Sequence, residues 1–179
     1  MKRPTGLLAA PFPVPSPVLV AMLDELRLAA VQPPESHAEL QRLATLPRPW
    51  DPGSCSGDLR SLIYLWLDEV VEWVNTEHTW RVDQMIPICW MQHPHIVHEL
   101  APAACARWEA SYAVTPHPLE DWHKYTLPAL LDRSARRVGP TGCPPGRHQA
   151  HPGTSRHALM HERQHESDRR SRRVADAES

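Results

Sequence analysis

"DLRSLIYLWLDEVVEWVNTEH", Asp58 to His78, decides the fold. On a wheel turning about 100° per residue, Leu59, Leu62, Ile63, Trp66, Leu67, Val70, Trp73 and Val74 fall within an arc of about 140°. Arg60, Ser61, Asp68, Glu69, Glu72 and Asn75 fall outside it. The period predicts one long amphipathic helix, with Asp58 placed to cap the free N–H groups of its first turn and the charged positions forming a solvated face. One helix cannot bury such a stripe alone, so further helices must pack against it.

On the C-terminal side, "TWRVDQMIPICWMQ", Thr79 to Gln92, has no clean period, and Pro87 forbids an uninterrupted helix. It reads as a connector with a short helical turn. Pro94 then stands where a first helical residue is tolerated. Val97, Leu100, Ala101, Ala104, Cys105, Trp108 and Tyr112 form a second stripe, which Pro102 is expected to kink or split. Thr115 and Pro118 signal a third helix. Leu119, Trp122, Leu127 and Leu130 share its apolar face, His123 lies inside that stripe, and Pro128 bends or restarts the helix. No alternating strand pattern and no internal repeat is apparent.

On the N-terminal side, the alternating Pro11, Pro13, Pro15 and Pro17 favour a disordered or extended leader over residues 1–17, polyproline II rather than any packed element. "PVLVAMLDELRLAAV", with Pro17 at a first helical turn, and "SHAELQRLATL", with Ser36 and Glu39 at capping-box spacing, predict short helices. Pro47 to Asp58 is a loop by composition. Beyond Val138 the composition turns to Pro, Gly, His and Arg, and disorder is expected. The predicted class is all-α: a small, irregular helical domain of about three main helices. Its organisation is a proline-rich leader (1–58), a Trp-rich core (59–137) and a largely disordered basic tail (138–179).

Composition supports that division. The 179 residues suffice for one ordinary domain. Six of the seven tryptophans lie between Trp66 and Trp122, which places the aromatic mass of the core there. The formal charge of −2 conceals an asymmetry: residues 1–132 carry 9 basic and 16 acidic side chains, residues 133–179 carry 10 and 5. The basic tail, with "DRRSRR" at Asp168–Arg173, is a candidate contact for nucleic acid or an acidic partner through Arg169, Arg170, Arg172 and Arg173. Its default reading is a solvated tail. An unsatisfied apolar face on so small a chain is compatible with a homodimer or a protein partner.

Four widely spaced cysteines without a C-x-x-C pair do not form a disulfide framework, and the thiols read as reduced in a cytoplasm. The prolines at 11, 13, 15 and 17 break the apolar run that a signal peptide needs. No stretch approaches the roughly 20 apolar residues of a membrane span.

The chemistry-bearing residues concentrate in "ICWMQHPHIVHEL", Ile88 to Leu100. Cys89 and His93 are four apart and His95 and His98 three apart, so two donors from either pair could share an ion, and zinc takes Cys and His donors in tetrahedral sets of four. A second pair is available only in the tail, as Cys143-x4-His148 or as His148 with His151. The competing reading is architectural: His95 and His98 sit on the surface and His93 packs where the Pro94 helix starts. Catalysis would centre on His123 with His93 and Cys89, but no Gly-rich turn, oxyanion donor or orienting third group accompanies them. There is no P-loop, dinucleotide fingerprint or H-E-x-x-H. A non-catalytic helical interaction module is therefore the leading expectation. The alternative is a zinc-binding domain, with hydrolytic chemistry in one version, using Cys89, His93, Cys143 and His148.

"VDQMIPICWMQHPHIVHELA" (Val82–Ala101), followed by "LEDWHKYTLPALLDR" (Leu119–Arg133), resembles a group of uncharacterised actinobacterial proteins. These share a Cys-Trp before a His-Pro helix start and a later Leu-Glu-x-Trp-His element. They are similar in turn to a domain of unknown function met near plasmid and phage genes. The likeness spans residues 60–148, with Gly139, Pro140, Cys143 and His148 matching its tail element. It implies a cytoplasmic accessory protein of mobile-element context. Pro102, inside a helix that the group keeps continuous, and the tail beyond His151 depart from the pattern.

Overall fold

The computed structural model describes residues 9–32, 35–79, 81–139, 143, 147–149 and 152–177. Among them every regular element is helical: α1 Pro17–Val31, α2 His37–Thr45, α3 Gly57–Glu77, α4 Pro94–Ala110, α5 His117–Asp121, α6 Leu127–Val138 and α7 Pro152–Ala177. None is long and apolar enough to cross a membrane. Residues Met1–Gly142 and Cys143–Ser179 form two compact units.

The first unit is organised on α3. Ser56, rather than Asp58, caps it: the Ser56 hydroxyl accepts from the Leu59 N–H, and Asp58 sits in the first turn, where the helix dipole favours a carboxylate. Its buried face carries Leu59, Ile63, Trp66, Leu67, Val70, Val71, Trp73 and Val74. Opposite lie Ile96, Val97, Leu100, Ala101, Ala103, Ala104 and Cys105 of α4. Three alanines at this contact leave room for close backbone approach and for the indoles of α3. Pro102 does not split α4, which runs unbroken from Pro94 to Ala110. On the far side, Glu99 of α4 holds both Arg133 and Arg137 of α6, which ties the two helices together.

From residue 9 onward the expected leader packs on this core; its residues 1–8 lie outside the described residues. Leu19 and Leu23 of α1 are buried in it. The extended segment before α1 straps across α3: Trp66 Nε1–H donates to the Pro13 carbonyl at 3.1 Å and Trp73 Nε1–H to the Ala10 carbonyl at 2.9 Å. Proline keeps its carbonyl while losing its N–H, so a proline-rich strand can accept from two indoles without leaving its own donors buried. Phe12 wedges edge-on against both rings, with centroids 6.3 Å from Trp66 and 5.1 Å from Trp73.

Where one third helix was expected, the chain makes α5, a π-turn over Trp122–Thr126, and α6. Pro128 is the cause. It cannot donate to the carbonyl four residues back, and the widened turn is closed instead by Leu127 N–H on the Trp122 carbonyl.

The second unit consists of the described residues 143 and 147–149 and of α7. The region expected to lack order is helical from Pro152 to Ala177. Beyond Gly153 that stretch contains neither proline nor glycine, and arginine, glutamate, glutamine and alanine are strong helix formers.

Candidate metal centre

Two prolines bracket the site-bearing turn. Pro87 accepts from the Trp90 N–H at 2.9 Å, Cys89 from the Gln92 N–H at 2.8 Å, and Trp90 from the His93 N–H at 3.0 Å. The chain thus makes a 3-10 turn over Trp90–Gln92 and starts α4 at Pro94. The His93 carbonyl then accepts the first helical bonds of α4, from Ile96 and Val97. This turn places Cys89 and His93 side by side, with Sγ 3.4 Å from Nε2.

Both positions are held from beneath. Trp90 is completely buried, stacks edge-on to Tyr64 at 5.6 Å, and donates its indole N–H to Asp68 at 3.1 Å. Two turns further along α3, the Asn75 amide grips the Ile86 backbone twice: Nδ2 donates to its carbonyl at 2.8 Å and Oδ1 accepts its N–H at 2.9 Å. His93 is 4% exposed, and its ring meets the His95 ring at 5.5 Å. His95, expected on the surface, is half-buried; His98 is exposed.

In the second unit, the N–H of Gln149, next to His148 in the chain, points at Cys143 Sγ, 3.5 Å away. Cys143 and His148 offer one thiol and one imidazole, as Cys89 and His93 do. Two thiols and two imidazoles are a zinc donor set, with Zn–S about 2.3 Å and Zn–N about 2.0–2.1 Å. A tetrahedron with those bonds has edges of roughly 3.3–3.8 Å. The 3.4 Å between Cys89 Sγ and His93 Nε2 falls inside that range.

The other two cysteines are different. Burial pushes the Cys105 thiol up to about 12, with Glu109 and Cys55 adding to the effect. Burial also raises Cys55, whose Sγ lies 3.5 Å from the Arg48 and Asp51 carbonyls. Both behave as small core residues.

His123 is not in the apolar stripe where the sequence placed it. The π-turn rotates it out, so Trp122, Leu127, Leu130 and Leu131 are buried and His123 is exposed. Its ring lies 5.3 Å from that of His78, at the rim of a cavity of ≈ 300 Å³ lined by these two histidines, Gln84, Leu127, Pro128 and Leu131. Burial lowers the pKa of His78, assisted by His123 and Arg107, with Glu77 opposing; burial and then Arg107 lower that of His123. Cys89 and His93 do not line this cavity, so the three residues of the suspected catalytic group are not brought together there. Arg169, Arg170, Arg172 and Arg173 lie within α7, but their side chains fall outside the described residues.

No protein-family model, curated protein or solved structure matches this chain.

Proposed function

We propose that this protein is a zinc-stabilised helical module that acts by binding a partner rather than by catalysis. The observation that carries the reading is the pair Cys89 Sγ and His93 Nε2, 3.4 Å apart as on the edge of a zinc tetrahedron; Cys143 and His148 are the thiol and imidazole that would complete the set. Cys89 and His93 belong to a turn pinned to α3 through Trp90 and Asn75, so that half of the donor set is already organised. When bound, zinc adds folding energy by joining ligands that are distant in the chain. A set of four protein donors fills the tetrahedron and keeps no open position for water, which favours a structural role over hydrolysis.

The binding role draws support from the same connector. Val82 and Ile88 are 86% and 87% exposed, and Met85 and Met91 are nearly half exposed, all within ten residues of the Cys89 turn. Apolar side chains concentrated in this way are the composition of a protein-contact surface. The accessory role in a mobile-element setting, implied by the Cys-Trp and His-Pro motifs, is compatible with such a module.

The test is elemental analysis of untagged protein after exhaustive dialysis. One zinc per chain is expected, falling to a small fraction in both Cys89→Ser and Cys143→Ser. Protein that carries no stoichiometric zinc, and takes none up from a zinc buffer, overturns the reading.

A further inference from the structure

Helix α7 carries "HALMHERQH", in which His157, His161 and His165 recur at intervals of four. Four residues advance a helix by about one turn, so these imidazoles stand in file along one face. The ring centroids of His157 and His161 are 4.8 Å apart and those of His161 and His165 are 5.7 Å apart. All three side chains are exposed, so the rings are free to turn their nitrogens outward. On the same wheel Glu162 lies beside the file, while Glu166, Arg156 and Arg163 lie on the opposite side of the helix.

We infer that this histidine file is a second, exchangeable site for a borderline divalent transition ion such as nickel, copper or zinc. Imidazoles at i and i+4 on one helix are a two-donor chelate for such ions, for which nitrogen ligands are well suited. His157 and His165 are about 12 Å apart along the axis, too far to share one ion. The helix therefore offers two overlapping pairs with His161 in common, and binds one ion at a time. Two donors leave the remaining coordination positions to water or to a partner's side chains. This makes the site labile, in contrast to a four-donor site. Bound metal also bridges successive turns, so it stabilises α7 itself through linkage.

The inference is independent of the Cys2His2 reading, and the experiment keeps the two apart. Untagged full-length protein, preloaded with one equivalent of zinc, is titrated with nickel chloride by calorimetry and followed in parallel by far-ultraviolet circular dichroism. One nickel event per chain with a gain in helicity is expected. His161→Ala removes both pairs and should weaken that event at least tenfold. His157→Ala and His165→Ala each leave one pair and should weaken it no more than about threefold. The same event should persist in Cys143→Ser, where the thiolate site is crippled. A nickel affinity for His161→Ala within twofold of the parent overturns the inference, as does loss of the event in Cys143→Ser with the histidine file intact. These are exposed positions on one helix, so the variants fold as the parent does.

Discussion

The indole N–H of Trp90 donates to Asp68 at 3.1 Å, fastening a fully buried ring to the otherwise exposed face of α3. Asp68 reads in the sequence as one more charge on a solvated face, yet it satisfies the only polar atom of the Trp90 side chain. Asp68→Leu leaves that N–H without its acceptor and should cost about 1–3 kcal/mol. Asp68→Asn keeps an acceptor and should recover most of the loss. Urea denaturation of the three proteins checks this. Equal stability of the leucine and asparagine variants would mean that the bond contributes nothing.

The strap before α1 gives a second prediction. Phe12 touches Trp66 and Trp73 edge-on, and the Arg107 guanidinium lies 5.0 Å from its ring centre. Phe12→Ala removes these contacts and should destabilise the fold by about 2–3 kcal/mol, whereas Phe12→Leu should cost less than half as much. Thermal unfolding provides the comparison. An unchanged midpoint for Phe12→Ala would show that residues 9–16 do not pack on α3.

Acid should weaken the first unit through His78 and His123. Both have native pKa values lowered from the ordinary 6.5, burial being the first cause in each, so the folded state binds fewer protons than the unfolded chain. Stability is thus intact above pH 6.5, declines as the pH falls below it, and reaches its full loss once the pH is under the lowered native values. Replacing His78 with Gln removes one of the two titrating groups. The variant should lose less stability than the parent between pH 7.5 and about pH 5, measured by urea midpoints with a chelator present. Equal losses would remove His78 from the account.

Thiol chemistry separates the cysteines into two pairs. Cys55 and Cys105 are buried, and burial raises both thiols, so an alkylating reagent at neutral pH should leave them largely unmodified in the native protein. Cys89 and Cys143 are partly accessible and should react in the metal-free chain. Zinc should slow both together, by at least tenfold, because one ion engages both sulfurs. Peptide mass mapping reads each site, and protection of only one of the two would contradict a shared ion.

What the sequence disclosed depended on how local each signal was. The stripe of α3 and the capping box of Ser36 and Glu39 are written in consecutive residues, and the structure has both. The strap was legible only as an extended segment: its partners, Trp66 and Trp73, lie more than fifty residues away, and proline carbonyls leave no periodic trace. His123 was misplaced because a wheel of constant pitch cannot foresee the π-turn that Pro128 imposes, although Pro128 itself was the signal. Cys89 and His93 could be paired from their spacing. No local pattern ranks the tail residues that would complete the set with them. The ring of His95 against His93 went unread, since wheel position alone assigned it to solvent.

The central claim is that two thiolates and two imidazoles share one zinc ion, and X-ray absorption at the zinc edge of untagged protein tests it most directly. The account predicts a first shell of two sulfurs at about 2.3 Å and two nitrogens at about 2.0–2.1 Å, with one sulfur lost in Cys143→Ser. A shell without sulfur, or one unchanged by that substitution, would contradict it.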